Sequence, residues 1–412
     1  MTLADPSDLE TATGRNSAVA AAALSGQRDL RLDFFRGIAM FIILIAHTPG
    51  NWLTSWIPAR WGFSDATEIF VFCSGMASAI AFGRAFDQSG WRMGTARVAY
   101  RVWQVYWAHI GMFFTIAMLL AAIDQTDLYD KIYIGTLNLW KFFAEPGPQL
   151  VGLFTLTYVP NYFDILPMYM IILLMLPIVM GLGRVNPWLV AIFVALVWFF
   201  AQARVLEALG IEALRLSLPA EPWSTRQWFF NPFGWQLIFF TGFAFMRGWL
   251  PKPPVHGALI AVAALIVLAN IPLSNIGVRE MGFDWARDWR IANRIVITKS
   301  DFGILRYVHF LALAYLCWVA AGDGGRRLMT SGTHLPARVW RRLLSIILKV
   351  GQQSLAVFVV SMVAARMMGF AMDNIGRGTW TTLAVNLAGF AVLVATAYGA
   401  GWFKSQPWRK RV

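Results

Sequence analysis

Arg36 and His47 stand eleven residues apart in the stretch RDLRLDFFRGIAMFIILIAH, residues 28–47. At 3.6 residues per turn this spacing is close to three turns, which would put both side chains on one helix face about 16 Å apart. A guanidinium holds phosphates or carboxylates, and an imidazole moves a proton near neutral pH. The pair therefore suits one long anionic ligand, gripped at one end of a helix and reacting at the other. The plainer reading makes Arg36 a membrane-face anchor and His47 an interfacial polar residue.

Other polar groups interrupt apolar stretches in the same way. Asp65 and Glu68 are three apart, hence roughly cofacial on a helix, and Arg306 and His309 repeat that spacing. Asp164, Trp235 and Gln236 each fall at the start of an apolar run, and Arg97 and Arg101 at the start of another. A carboxylate beside His47 would orient the ring and stabilise its protonated form, and spacing leaves Asp65 and Glu68 equal for that role. Arg36, Arg97 and Arg101, with Gln352 and Gln353, would make a cationic dock for phosphates. Arginines at helix ends are equally ordinary topology signals.

The elements that must hold these groups are set by composition. The chain of 412 residues is 58% hydrophobic and 14% charged, with 20 Trp and 31 Phe, more apolar surface than a soluble core could hide. The reading is an all-α, polytopic membrane bundle of about ten transmembrane helices. Their apolar windows lie near 31–49, 64–83, 98–123, 163–182, 187–206, 231–249, 255–273, 302–321, 344–369 and 380–403. The net charge of +13 would suggest nucleic acid in a soluble protein; here Lys and Arg sit in short gaps between apolar runs, and no nucleic-acid partner is expected. The cysteines, Cys73 and Cys317, lie inside apolar runs and offer neither a disulfide framework nor a metal site.

Most Lys and Arg fall on one side if both termini are cytoplasmic, with the charged segment 274–301 as the exception outside. Residues 1–27 then read as a disordered cytoplasmic tail, 28–403 as a single transmembrane domain and 404–412 as a basic cytoplasmic tail. This topology puts His47, Asp65, Glu68, Asp164, Trp235, Gln236, Arg306 and His309 at one outer depth. Charges inside spans are costly and usually face a cavity, so the alignment is what a site would look like. The external aromatics Trp140, Tyr158, Tyr162, Trp223, Trp228, Phe229 and Phe230 are flat surfaces for sugar rings, or equally an interfacial belt. His109, in mid-helix, reads as structural.

Six blocks together resemble the OpgC family. They are the stretch 28–47, GFSDATEIFVFCSG (62–75), DILPMYMIILL (164–174), NPFGWQLIFFTG (231–242), KSDFGILRYVHFLALAY (299–315) and GQQSLAVF (351–358). Members of that family are inner-membrane succinyltransferases that modify osmoregulated periplasmic glucans. The family is similar in turn to the acyltransferase-3 group, whose first helix carries an Arg, ten residues and a His taken as catalytic, matched here by Arg36 and His47. FVFCSG at 70–75 resembles that group's FFVLSG-type motif.

The resemblance implies succinyl-CoA as acyl donor, a periplasmic glucan as acceptor and the lipid bilayer as surroundings; a homo-oligomer is left open. Arg36, Arg97 and Arg101 would dock the coenzyme. His47 would take the proton from a glucan hydroxyl as it attacks the thioester, or would itself carry the acyl group. Arg306 would hold the distal succinyl carboxylate, with Arg366 as the competing residue, and His309 would donate to the acyl oxygen or the sugar. Asp164, Trp235 and Gln236 would bind substrate. The rival class is a glycan or lipid transporter, which commonly shows internal repeats; the first-helix pattern has no second copy.

Overall fold

A computed structural model describes residues 29–409, so the tail expected over 1–27 and the last residues of 404–412 lie outside the described part. Within it the chain is helical, apart from loops and one isolated antiparallel bridge between Pro219 and Gln227.

Helix α1, Leu30–His47, starts where the Asp29 side chain accepts the Arg31 amide at 3.0 Å, with Asp33 in its positive first turn. It ends before Pro49 and Gly50, the latter at φ +71°. Helix α2, Ala66–Ser78, opens with a capping box: Asp65 accepts the Thr67 amide at 2.7 Å and Glu68 accepts the Asp65 amide at 2.8 Å. A π-helical turn, Ala79–Gly83, leads into α3, Arg84–Asp124, which bends at Gly90 (φ +78°).

The next span is α4, Ile165–Leu174, continued by α5, Leu176–Val185, across the Pro177 step. Then follow α6, Pro187–Ala201, α7, Pro232–Arg247, and α8, Gly257–Ala269. The chain closes with α9, Ile304–Ala321, α10, Leu335–Gln352, α11, Ser354–Ile375, and α12, Thr379–Ser405.

Among the described residues, five stretches are long and apolar enough to cross a membrane: Ala66–Asp124, Ile165–Val185, Ile304–Ala321, Ser354–Ile375 and Thr379–Ser405. Helices α6 and α8 are apolar but shorter. The difference from about ten windows has physical causes. Helix α1 carries Arg31, Asp33 and Arg36, and α7 has only 16 residues. The window 344–369 is not one helix: it breaks at Gln353 between α10, which carries Arg338, Arg341, Arg342 and Lys349, and the apolar α11. Helix α12 runs to Ser405, two residues past the expected boundary. The chain is a multi-pass membrane protein.

Two close crossings fix the centre. A Cβ on Gly37 would meet the Ile347 carbonyl at 2.1 Å and one on Gly351 the Asp33 carbonyl at 1.9 Å, so α1 and α10 touch backbone to backbone. Gly75 against Phe239 (1.9 Å) and Gly242 against Phe72 (2.3 Å) do the same for α2 and α7. Around these contacts Met40, Leu44, Phe113, Trp235, Phe239, Phe240 and Phe243 are fully buried.

Candidate functional site

His47 ends α1, and its Nδ1 lies 2.9 Å from the Ile43 carbonyl oxygen one turn back. A carbonyl only accepts, so Nδ1 carries the proton and the Nε2 lone pair stays available. The ring stands edge-on to Tyr162, with centroids 5.4 Å apart. Tyr162 has φ +89°, a conformation an aromatic residue rarely adopts; its hydroxyl donates to the Met362 carbonyl at 2.7 Å, and the Arg366 guanidinium lies 4.1 Å from its ring centre.

Two cavities meet at His47 and Ala46. The larger, about 610 Å³, takes in Asp65, Asp164, Lys299, Asn161, Phe229 and Phe230, and follows α1 past Ile43 to Ile42. At that depth it reaches Phe70 and Phe358, whose rings stack at 5.8 Å. The smaller, about 350 Å³, is lined by Lys131, Tyr133, Arg366 and Asp373 among others. Tyr133 lies in the segment between α3 and α4; burial first and the Asp373 carboxylate second push its phenol up to about 12, so it stays a donor, 3.2 Å from Asp373 Oδ2.

The two carboxylates expected beside His47 are engaged elsewhere. Glu68 is fully buried, and its Oε1 accepts Nε and Nη2 of Arg306 at 2.9 and 2.5 Å. Asp65 Oδ2 accepts Lys299 Nζ at 2.5 Å, with Arg306 Nη2 at 3.9 Å. Both also serve the α2 cap, which uses the same i, i+3 spacing that made them look like alternative partners for the imidazole. The orienting bond of His47 comes instead from its own helix. Asp65 remains in the wall of the larger cavity, whereas Glu68 does not line it.

Arg306 is likewise turned to Glu68 and lines neither cavity. His309 packs against the chain before α2: its Nδ1 accepts the Ser64 amide at 3.3 Å and faces Ser64 Oγ at 2.7 Å. A side chain on Gly62 would strike its ring at 2.3 Å. Trp235 is buried and donates to the Lys299 carbonyl at 2.9 Å. Gln236 donates to the Val194 carbonyl at 2.8 Å. These residues point away from the cavities, as supports. Asp164 does line the larger one, accepting the Phe229 amide at 3.1 Å.

At the other end of α1, Arg36 donates to Ser354 Oγ, and its Nε is buried without a hydrogen-bond partner. Gln352 donates to Asp33 at 3.4 Å. Arg101 lies close enough to oppose the Arg36 charge and bonds Gln104 at 3.1 Å, whereas Arg97 is exposed. The larger cavity stops at the Phe70 and Phe358 rings, so it does not run through to Arg36.

Lys299, set in the loop before α9, and Arg60 are cations of the larger cavity that reading by span depth passed over; the block KSDFGILRYVHF contained the first. Of the aromatics expected outside, Tyr162, Phe229 and Phe230 face the larger cavity. Tyr158 and Trp228 are buried, and Trp140 and Trp223 lie on the surface. His109 is fully buried, with neither ring nitrogen bonded.

The chain belongs to the OpgC family: the family model described as OpgC protein matches residues 28–405, nearly the whole length. Membership suggests an acyltransferase for periplasmic glucans. No curated protein and no solved structure matches the chain.

Proposed function

We propose that this member of the OpgC family carries a succinyl group from cytoplasmic succinyl-CoA to a hydroxyl of an osmoregulated periplasmic glucan, across the bacterial inner membrane. Both termini are then cytoplasmic, and the His47 end of the bundle faces the periplasm. The observation that supports this most is His47 itself: its Nδ1 is committed to Ile43, and its ring stands between two cavities.

In this reading Nε2 removes the proton from the glucan hydroxyl as its oxygen attacks the thioester carbonyl. The carbonyl re-forms, the bond to sulfur breaks, and the coenzyme thiolate leaves with the proton held by His47. The Lys299 ammonium stands in the cavity wall, where it can stabilise negative charge on the carbonyl oxygen, with Asp65 fixing its position. Phe229 and Phe230 offer faces to the sugar, and Asn161 and Asp164 offer polar groups to its hydroxyls. Arg36 holds the coenzyme from the other side, and the thioester arm enters by parting Phe70 from Phe358.

The test supplies membranes containing wild type or His47→Ala with labelled succinyl-CoA and periplasmic glucan, and reads the mass of the glucan. Succinylated glucan with wild type alone is expected. Undiminished transfer by the variant removes His47 from the chemistry, and passage of unmodified glucan through wild-type vesicles favours transport instead.

A further inference from the structure

We infer that Arg366 and the smaller cavity bind the free carboxylate of a dicarboxylic acyl group, so that this pocket, rather than Arg306, selects the charge of the donor. The inference rests on the acyl-transfer reading above and names a specificity residue for it.

The charges around His47 are mostly paired. Lys131 binds Asp373 at 2.7 Å, Arg377 binds the other oxygen of Asp373, Lys299 binds Asp65 at 2.5 Å, and Arg306 binds Glu68 at 2.5 Å. Arg366 differs. Its Nε is buried without a hydrogen-bond partner, and among the described residues it forms no ion pair. What it has is the face of Tyr162, 4.1 Å away, a contact that holds a guanidinium without neutralising it. A cation kept partly from water with no counter-ion is costly, and an arriving anion relieves that cost.

The placement fits a short diacid. Tyr162 touches both groups: its ring forms a T-shaped pair with His47, centroids 5.4 Å apart, and the Arg366 guanidinium lies 4.1 Å from its centre. His47 and Arg366 both line the smaller cavity, so a carbonyl at the first and a carboxylate at the second can belong to one short ligand. Asp373, two turns further along α11, accepts from Lys131, Arg377 and the Tyr133 hydroxyl, so its charge is spent on groups other than the ligand. Gly369, one turn beyond Arg366, closes the pocket against Pro49, which a Cβ there would strike at 2.6 Å.

Glucan acylation is measured in membranes with labelled succinyl-CoA and, separately, acetyl-CoA, for wild type, Arg366→Gln and Arg366→Lys. The expected result is that Arg366→Gln lowers succinyl transfer by roughly 10- to 100-fold more than acetyl transfer, the size of one charge-assisted hydrogen bond, and that Arg366→Lys restores part of the difference. Equal losses with both donors overturn the assignment. A second measurement is independent of turnover: free succinate should raise the melting temperature of the purified protein in detergent more than acetate does, and Arg366→Gln should abolish that difference. If wild type transfers neither group, the acyl-transfer reading has failed. The pocket is then judged by succinate protection alone, its absence overturning the proposal and its loss in Arg366→Gln upholding a carboxylate site.

Discussion

Arg306 donates twice to one oxygen of Glu68, through Nε at 2.9 Å and Nη2 at 2.5 Å, while the other oxygen of Glu68 accepts the Asp65 amide. Both side chains are buried, so removing either strands the other. Arg306→Gln should therefore destabilise the fold by roughly 3–5 kcal/mol, and replacing both partners by apolar residues should recover a large part. Unfolding of detergent-solubilised variants tests this. The same pairing predicts that Arg306→Gln lowers succinyl and acetyl transfer alike; a selective loss of succinyl transfer would return Arg306 to the substrate.

His47→Ala should cut transfer by about 100- to 10,000-fold, the range of a general base. The fold should tolerate it, because the hydrogen bond lost is made to the preceding turn of the same helix. Glucan mass analysis beside a melting curve separates the two effects. A variant that melts early and transfers nothing would leave His47 a structural residue.

Lys299→Met should lower transfer from both donors without changing their ratio, since the ammonium faces the carbonyl common to all thioesters. Asp65→Asn should do less to catalysis, because the amide still accepts from Lys299 and still caps α2. Rates for the two single variants and their combination measure the coupling. Additive effects would mean that Asp65 does not act through Lys299.

Phe358→Trp should tighten the aromatic constriction beneath His47 and slow transfer from succinyl-CoA, at a stability cost of about 1–3 kcal/mol for overpacking. A small water-soluble succinyl thioester, supplied from the periplasmic side, bypasses that constriction and should react with the variant nearly as with wild type. Equal slowing of both donors would place the arm's route elsewhere.

Gly351→Leu should separate α10 from α1, because its first side-chain carbon would lie 1.9 Å from the Asp33 carbonyl. Loss of folded protein, read as aggregation on solubilisation, is expected. A stable variant would show that this crossing yields easily.

The bundle, the first helix and the shared face of Arg36 and His47 were legible because they follow from hydropathy and from a helical repeat. Direction around the axis was not. A helix such as α7 is apolar on all sides, so nothing in its sequence says whether Gln236 turns to a cavity or to Val194. The pairing of Glu68 with Arg306 joins segments 238 residues apart, and only the folded chain reveals it. Tyr162 was legible as one aromatic face among several, but not its place beside His47, which comes with a left-handed backbone that composition does not encode. Asp65 and Glu68 carried a legible signal that had two meanings, a catalytic carboxylate pair and a helix start, and the start was the one realised.

The bond from His47 to Ile43 has a bearing on how such an enzyme can change. Its acceptor is a peptide oxygen, present whatever amino acid occupies position 43, so the imidazole inherits its proton arrangement from the backbone itself. Under the proposed mechanism, drift in the surrounding pockets can alter which acyl group or which carbohydrate is handled while the imidazole keeps its readiness. Abolishing that readiness without touching the histidine takes damage to the last turn of the helix.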